Sequence, residues 1–353
     1  MKRILYAVQI VIFSLLALPG ANPAYASPRQ DAAVIYLPVV RHDRPLLNDA
    51  VRAIEPAAVG SVAGFHAPMD ATPDPDGNTF YFTAMSAQGA GVFSVPATGG
   101  TAVTLTVGAP LTVPVGLAVG TNGQTIYVAD SGAVIASTAS VTGTGAIFSL
   151  PSSGGLPTLI TGTAQTTPRG LTVVKENNVD MIYFTGSAPE DGQPAVMKIP
   201  ASGGTLTVLE KGGQLVAPVG IAVNKNGVLY VTDQAAAGNG LGRLYKFNPH
   251  AHNARNNHAE LLADRVRMGN PAGITLTLDE SLLLVSSLDT VAGTSQVLVV
   301  NTGTLGQGIV NKVIGVNSAS GGLHRAHNNN VMAWCGVTAG SGGQGIVFRV
   351  TLQ

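Results

Sequence analysis

Short apolar runs alternate with polar, glycine-containing turns along most of this chain. One such line reads Pro-Val-Gly-Leu-Ala-Val from Pro114, then Asn122-Gly123, then Thr-Ile-Tyr-Val-Ala-Asp to Asp130. The runs are rich in Val, Ile, Tyr and Phe, which fit a pleated sheet. Asn-Gly and Asp-Gly pairs tolerate the positive φ angles of tight hairpin turns. The pattern therefore predicts antiparallel strands joined by hairpins.

The same line recurs at intervals of about 50 residues. Full copies begin at Pro114, Pro168, Pro218 and Pro271, a degenerate first copy begins at Pro68, and a degenerate last copy contains Gly322. Each copy continues into a third apolar run, and several continue through a Gly-Gly pair into a fourth. Four antiparallel strands repeated at this interval are typical of a propeller blade. The sequence predicts an all-β fold: a six-bladed β-propeller of four-stranded antiparallel blades in residues 68–353.

The sixth copy offers only three strands before Gln353. We therefore expect an N-terminal segment, residues 27–67, to supply its outer strand, with candidates at residues 33–39 and 51–54. Closure of this kind removes exposed sheet edges, which favour aggregation. The repeat also predicts that inner strands approach too closely for a side chain at four glycines: Gly116, Gly170, Gly220 and Gly273.

Composition and charge exclude several classes of protein. The chain has 44 glycines in 353 residues and is 11% charged and 45% hydrophobic, so neither a disordered chain nor a coiled coil is expected. It carries 19 basic and 19 acidic side chains. With no basic excess to neutralise phosphates, nucleic-acid binding is not expected.

Residues 1–26 have the features of a secretory signal peptide: Lys2 and Arg3, an apolar run over residues 4–18, and Ala-Tyr-Ala before Ser27. The alternative is an uncleaved anchor, but the run is shorter than the ~20 residues of a membrane span. We expect a secreted or periplasmic protein with no membrane span after cleavage. Cys335, the one cysteine, lies in an apolar run and is expected to be buried without a disulfide partner.

The repeated line resembles NHL-type repeats and the related gluconolactonase and regucalcin-like propellers, over residues 68–350. Those enzymes hold a metal at the channel mouth with a Glu of the first blade and Asn and Asp of later inner strands. The matching positions here are Val115, Arg169, Val219 and Ala272, with His66 and Asp70 in the first blade. Calcium binding needs several converging oxygen ligands. No metal ligand or cofactor is predicted; the alternative is that the site binds a divalent cation such as calcium.

Polar residues at the strand ends around the channel are the candidate ligand-binding residues: His66, Asp70, Arg169, Asp233, His324 and Arg325. Either arginine would bind an anionic group, and Asp70, Asp233 or His324 would act as acid or base. For Asp233, and for Asp130 in the same position of its copy, the alternative is turn capping. Asp70, Arg169, His324 and Arg325 depart from the repeat, so we expect them in one pocket, with Asp70 paired to Arg169.

Two functions are compatible with this pattern. The first is an exported, monomeric binding module for a protein, peptide or glycan, with its ligand over the channel. The second is an extracytoplasmic hydrolase or lyase, similar to gluconolactonase, whose catalytic residues the sequence does not assign. His250, His252 and His258 form a further cluster, either a transition-metal site or a solvated loop.

Overall fold

The computed structural model of the protein describes residues 57–60, 64–135, 144–249, 259–289, 294–302, 309–316, 320–338 and 344–351. These residues lie within one compact unit, Pro38–Gln353. Every regular element among them is a β-strand, and none of them forms a helix long and apolar enough to cross a membrane. The strands form six antiparallel sheets arranged as the blades of a propeller, which confirms the predicted fold.

The first three blades follow the chain order. Blade 1 contains β2 (Phe65–His66), β3 (Ala71–Pro73), β4 (Thr79–Ser86), β5 (Gly89–Pro96) and β6 (Val103–Val107), where β2 and β3 both pair with β4. Blade 2 contains β7 (Pro114–Val119), β8 (Thr125–Asp130), β9 (Ala146–Pro151) and β10 (Thr158–Leu159). Blade 3 contains β11 (Leu171–Glu176), β12 (Val179–Ser187), β13 (Pro194–Pro200) and β14 (Thr207–Lys211).

The last three blades complete the ring. Blade 4 contains β15 (Pro218–Val223), β16 (Leu229–Gly238), β17 (Leu241–Phe247) and β18 (Glu260–Val266). Blade 5 contains β19 (Ile274–Leu276), β20 (Leu282–Asp289), β21 (Thr294–Asn301) and β22 (Ile309–Val316). Blade 6 contains β23 (Ser320–Arg325), β24 (Val331–Gly336), β25 (Ile346–Thr351) and, as its outer strand, β1 (Ala57–Gly60).

The ring closes where β1 pairs antiparallel with β25, with Ala57 opposite Arg349 and Ala58 opposite Phe348. An N-terminal strand therefore completes the sixth blade, as predicted. Its position is 57–60, inside the expected segment 27–67 but after both candidate strands, 33–39 and 51–54, which lie outside the described residues.

The core of the molecule lies between the blades. Successive side chains of a strand point to opposite faces of its sheet. On β8, Ile126 and Val128 pack in a cluster with blade 1, while Tyr127 and Ala129 pack in a cluster with blade 3. Apolar clusters of this kind fill each of the six blade interfaces. The rigid ring that results holds the inner strands around the central axis.

The inner-strand glycines allow this close packing. A Cβ on Gly220 would lie 2.1 Å from the carbonyl oxygen of Ala272 in the next blade. A Cβ on Gly116 would lie 1.9 Å from the carbonyl oxygen of Arg169. Gly170 and Gly273 meet the backbone of the following blade in the same way. The prediction that no side chain fits at these four positions is confirmed.

A hydroxyl on the second strand reinforces the same contact. The Thr232 hydroxyl accepts a hydrogen bond from the Gly220 N–H at 2.8 Å and donates one to the Ala272 carbonyl at 2.9 Å. It thus ties two strands of blade 4 to blade 5. Cys335 takes the corresponding position in blade 6 and is fully buried, as predicted.

Candidate functional site

Asp70 and His324 meet near the propeller axis. Asp70 immediately precedes β3 of blade 1, and His324 lies near the end of β23 in blade 6. His324 Nε2 lies 3.1 Å from Asp70 Oδ2, the same oxygen accepts the Leu117 N–H at 2.7 Å, and Oδ1 accepts the Ala71 N–H at 2.9 Å. The Asp70 carboxylate thereby links blades 1, 2 and 6. Asp70 is 2% exposed.

Glycine in the neighbouring blade makes room for this carboxylate. Asp70 replaces the repeat glycine of the first copy, and its carboxylate lies between the inner strands of blades 2 and 6. A Cβ on Gly322 would lie only 1.7 Å from Asp70 Oδ1. Asp70 in blade 1 and Gly322 in blade 6, which leaves room for its carboxylate, therefore lie on opposite sides of the closing interface.

The contact assigns the His324 tautomer. An ionised carboxylate only accepts hydrogen bonds, so Nε2 of His324 must carry the proton that is shared with Asp70. In the neutral ring, Nδ1 is then left as an acceptor. The His324 side chain is 13% exposed and borders an open cavity, so its imidazole reaches the space that a ligand could occupy.

This cavity, which we call the axial basin, lies where the inner strands end and turn outward. Its volume is about 380 Å³. The charged and imidazole-bearing side chains around it come from four blades: Lys175, Lys225, Glu280, His324, Arg325 and His327. Sites for small molecules are concave spaces of about 300–1,000 Å³ with a few polar groups. The axial basin therefore has the size and the convergence of such a site.

Arg325 is a fixed part of the basin wall. Its Nε donates to the Leu276 carbonyl at 2.7 Å, and its Nη1 donates to the carbonyls of Ala326, His327 and Asn329. Burial lowers the pKa of the Arg325 guanidinium. The Arg325 side chain consequently stabilises the turn after β23, and its positive charge is held in a fixed position at the basin.

The turn after β23 also forms hydrogen bonds with blades 1 and 2. His327 Nε2 lies 3.1 Å from the Val119 carbonyl oxygen, so this nitrogen carries the proton and donates. Asn328 donates its backbone N–H to the Pro75 carbonyl at 2.9 Å and its side-chain amide to Asp76 at 2.6 Å. These contacts hold the basin wall across the closing interface.

The two lysines at the basin are held less tightly. Lys175 and Lys225 are both exposed, and among the residues described neither ammonium group forms an ion pair. The Lys225 backbone N–H donates to Glu280 Oε1 at 2.6 Å. Glu280, the acid of the basin wall, is thus used to connect blades 4 and 5. Sequence reasoning missed both lysines because it searched the strand entries, whereas they follow or end inner strands.

The remaining predicted residues lie apart from this pair. Asp233 is fully buried and accepts the N–H groups of Val216 at 2.7 Å and Ala217 at 2.9 Å. Asp130 accepts those of Thr112 and Val113 in the same way. Both aspartates occupy the turn-capping role that was the alternative interpretation, at the entry end of the inner strands.

Arg169 does not pair with Asp70, so the expected partnership is wrong. The Asp70 oxygens are taken by His324 and two backbone N–H groups, and the described part of the chain supplies no hydrogen bond or ion pair to the Arg169 guanidinium. Arg169 precedes β11 at its entry, roughly 20 Å along the chain from Lys175 at the other end. Of the four residues expected in one pocket, His324 and Arg325 line the axial basin and Asp70 contacts it through His324.

His66 lies on β2, opposite Met85 of β4, with an exposed side chain. Within the described ranges it forms no hydrogen bond or ion pair with Asp70 or His324. The cluster of His250, His252 and His258 lies outside the described residues.

No family model and no curated protein matches this sequence. Solved structures do match. A gluconolactonase from Xanthomonas campestris aligns with 88% of this chain and 93% of its own, with a TM-score of 0.61 and 16% identity. A calcium-binding regucalcin from Agrobacterium tumefaciens aligns with 84% of this chain and 96% of its own, with a TM-score of 0.55 and 12% identity. Nidogen in its complex with laminin aligns with 74% of this chain and 86% of its own, with a TM-score of 0.54 and 16% identity.

The likeness is one of fold. At these identities the propeller is shared, and the neighbours include enzymes and a protein-binding module alike, so function must be argued from the site. A calcium ion requires six to eight oxygen ligands. In the described part of the chain, no group of three or more His, Cys, Asp or Glu side chains could hold a metal ion. The residues at the strand entries, such as Val115 and Val219, do not fit such a centre.

Proposed function

We propose that the protein is an exported binding module whose ligand occupies the axial basin. The observation that carries the proposal is the basin itself, a space of about 380 Å³ with charged and imidazole-bearing side chains from four blades around it. Its wall is organised before any ligand arrives, because Arg325 and His327 are held by backbone carbonyls. A preorganised site loses less freedom when it binds.

Export rests on the signal-peptide features of residues 1–26. The ligand is either a small molecule or the terminal group of a protein, peptide or glycan that enters the basin. Protein partners are compatible with the fold, since the similar nidogen structure is that of a complex with laminin.

Filling the basin tests this function. The mature protein is screened by thermal shift against amino acids, monosaccharides, short peptides and organic acids, beside the variant Thr172→Phe. Thr172 lies on the basin wall and is half-buried, so a phenyl ring there narrows the space. The matched control is Thr104→Phe, on the exposed outer strand of blade 1. Compounds that raise the melting temperature of the wild type and the control, but not of Thr172→Phe, are expected. A panel with no such compound contradicts the proposal.

The Asp70–His324 pair favours a second candidate, a hydrolase. In that reaction, Nδ1 of His324 would take a proton from water as the oxygen attacks an ester or lactone carbonyl. The same proton would then pass to the leaving oxygen as its bond to carbon breaks. A buried carboxylate that orients a histidine is an arrangement suited to such proton transfer.

Proton release from a panel of lactones and aryl esters distinguishes the two functions. Catalysis would be lost in His324→Gln, which has no titrating group, and retained in Lys246→Gln on β17. Turnover that is equal in His324→Gln and wild type, or absent in both, rejects the enzyme and leaves the binding module.

A further inference from the structure

We propose that the axial basin selects a small organic anion bearing a carboxylate or phosphate group, an inference that rests on the proposed binding function. Three cationic side chains line the basin, Lys175, Lys225 and Arg325, against one acid, Glu280. The whole chain has equal numbers of basic and acidic residues, 19 of each. The positive excess is therefore local to the basin and does not follow from composition.

The polar groups of the basin divide into fixed and available ones. Arg325 and His327 direct donors at backbone carbonyls, and Glu280 accepts the Lys225 N–H, so these groups shape the wall. The ammonium groups of Lys175 and Lys225 have no ion-pair partner within the described ranges. They are the donors that a ligand can recruit.

The position of the charges favours an anion over a neutral ligand. Concave walls of low dielectric concentrate the field of like charges and raise the local concentration of counter-ions. Arg325 contributes charge at the wall without moving, while the two lysines lie on blades 3 and 4 and can approach one ligand from neighbouring sides. A water molecule takes about 30 Å³ of liquid volume, so the basin holds the equivalent of about a dozen waters. That is enough for a small organic acid or an organic phosphate.

Two charge-removing variants and one matched control test the inference. Lys175→Gln and Lys225→Gln each remove an ammonium group, and the latter keeps the backbone N–H that Glu280 accepts. Lys246→Gln makes the same change of net charge on β17, where Lys246 lies 3.7 Å from Glu260. Calorimetric titration uses malonate, inorganic phosphate and, as an uncharged analogue, malonamide.

We expect malonate, phosphate or both to bind the wild type, and malonamide not to bind. Each basin variant should weaken binding about two- to fivefold, as expected for one partly solvated charge pair, and Lys246→Gln should leave it unchanged. Added salt should weaken binding further, because ions screen exposed charges. The tighter of the two anions identifies the carboxylate or the phosphate as the recognised group.

Two results overturn the inference. Binding that is equal in wild type and both basin variants places the anion elsewhere. Failure of both anions to bind also rejects it. If a neutral compound from the thermal-shift panel then still stabilises the wild type but not Thr172→Phe, the basin remains a binding site and only its anion selectivity is wrong. If no compound does so, the proposed function fails as well.

Discussion

At the scale of single residues, the repeat glycines and Cys335 control how closely the blades pack. The glycines lie where one inner strand meets the backbone of the next, and the thiol fills a position that a hydroxyl occupies in blade 4. Each contact involves backbone or fully buried atoms, which have no room to move. Small changes of volume or polarity at these positions should therefore affect the whole ring.

Gly220→Val should destabilise the protein by about 1–3 kcal/mol through overpacking. A Cβ at this position would lie 2.1 Å from the Ala272 carbonyl oxygen, so blades 4 and 5 would have to separate. The free energy of unfolding in urea measures the effect. The control is Gly240→Asn, because Gly240 has a φ of +72° and no atom near its Cβ position, and asparagine tolerates that φ. Equal stability of Gly220→Val and wild type would contradict the assigned packing.

Cys335 should be unreactive in the folded protein. Burial, with a smaller effect of the Asp70 carboxylate, raises the pKa of the Cys335 thiol well above its ordinary value. A raised pKa keeps the thiol protonated through neutral pH and to about pH 8, where a free cysteine begins to ionise. Alkylation by iodoacetamide at that pH should occur only after denaturation. Rapid labelling of the native protein would show that the thiol is accessible.

The sequence indicated which of these residues are unusual but not how they pair. Asp70 stands out because it replaces a repeat glycine, and His324 because it follows Gly322-Leu323. Their contact spans 254 positions in the chain and depends on ring closure. Arg169 stands out by the same criterion, yet it forms no hydrogen bond or ion pair with Asp70, although both residues precede an inner strand. The repeat shows where a residue lies along its strand, whereas the residue that it contacts depends on how the blades pack.

At the scale of strands and turns, buried aspartates fasten the entry of the inner strands in blades 2 and 4. Asp130 ends β8 and Asp233 lies within β16, and each accepts backbone N–H groups from the segment that leads into the inner strand. The aspartate carboxylate thereby bonds N–H groups of the segment that precedes the inner strand. In blade 3 the corresponding residue is Gly186, so an aspartate cap is not needed in every blade.

Asp233→Ala should cost about 1–3 kcal/mol, because it leaves the backbone N–H groups of Val216 and Ala217 without their acceptor. Asp233→Asn, which keeps one acceptor oxygen, should cost less. Urea unfolding compares both with Asp264→Ala, which removes an exposed partner of Arg243 and should cost less than about 1 kcal/mol. If Asp233→Ala and Asp264→Ala are equally stable, the capping role is incorrect.

Turn chemistry could be predicted from sequence better than site chemistry. Asn-Gly pairs such as Asn122-Gly123 identified the hairpins, because few residues adopt a positive φ. The same hairpins carry the basin lysines, in segments such as Asn224-Lys225-Asn226-Gly227. A lysine beside a turn is ordinary on a protein surface, so its sequence gives no sign that several such turns surround one cavity.

At the scale of the whole molecule, one short strand closes the ring. A chain that begins at residue 61 should aggregate and melt at a lower temperature, because the outer edge of β25 is then exposed. A chain that begins at residue 57 keeps β1 and should remain closed. Size-exclusion chromatography and thermal melting compare the two deletions. Equal behaviour of both variants would mean that β1 does not close the propeller.

The six-blade count could be read from the chain because each blade repeats the same apolar run and turn. The exact closing strand could not. Residues 33–39 and 51–54 were the two candidates, but Ala57–Gly60 pairs with β25. A strand at the outer edge of a blade needs backbone hydrogen bonds more than an apolar face, so hydrophobic pattern is a weak guide there.

The closing pair also determines how the ring would respond to a mechanical load. Ala57 lies opposite Arg349 and Gly60 lies nearer to Val347, so the start of β1 and the end of β25 are at the same end of the pair. Tension applied between those two points acts along the direction of the interstrand hydrogen bonds. The bonds would therefore break one after another, as in unzipping, instead of sharing the load as they do in shear. Six packed blade interfaces stabilise the propeller against thermal unfolding. Tension between the start of β1 and the end of β25 would nevertheless open it at low force.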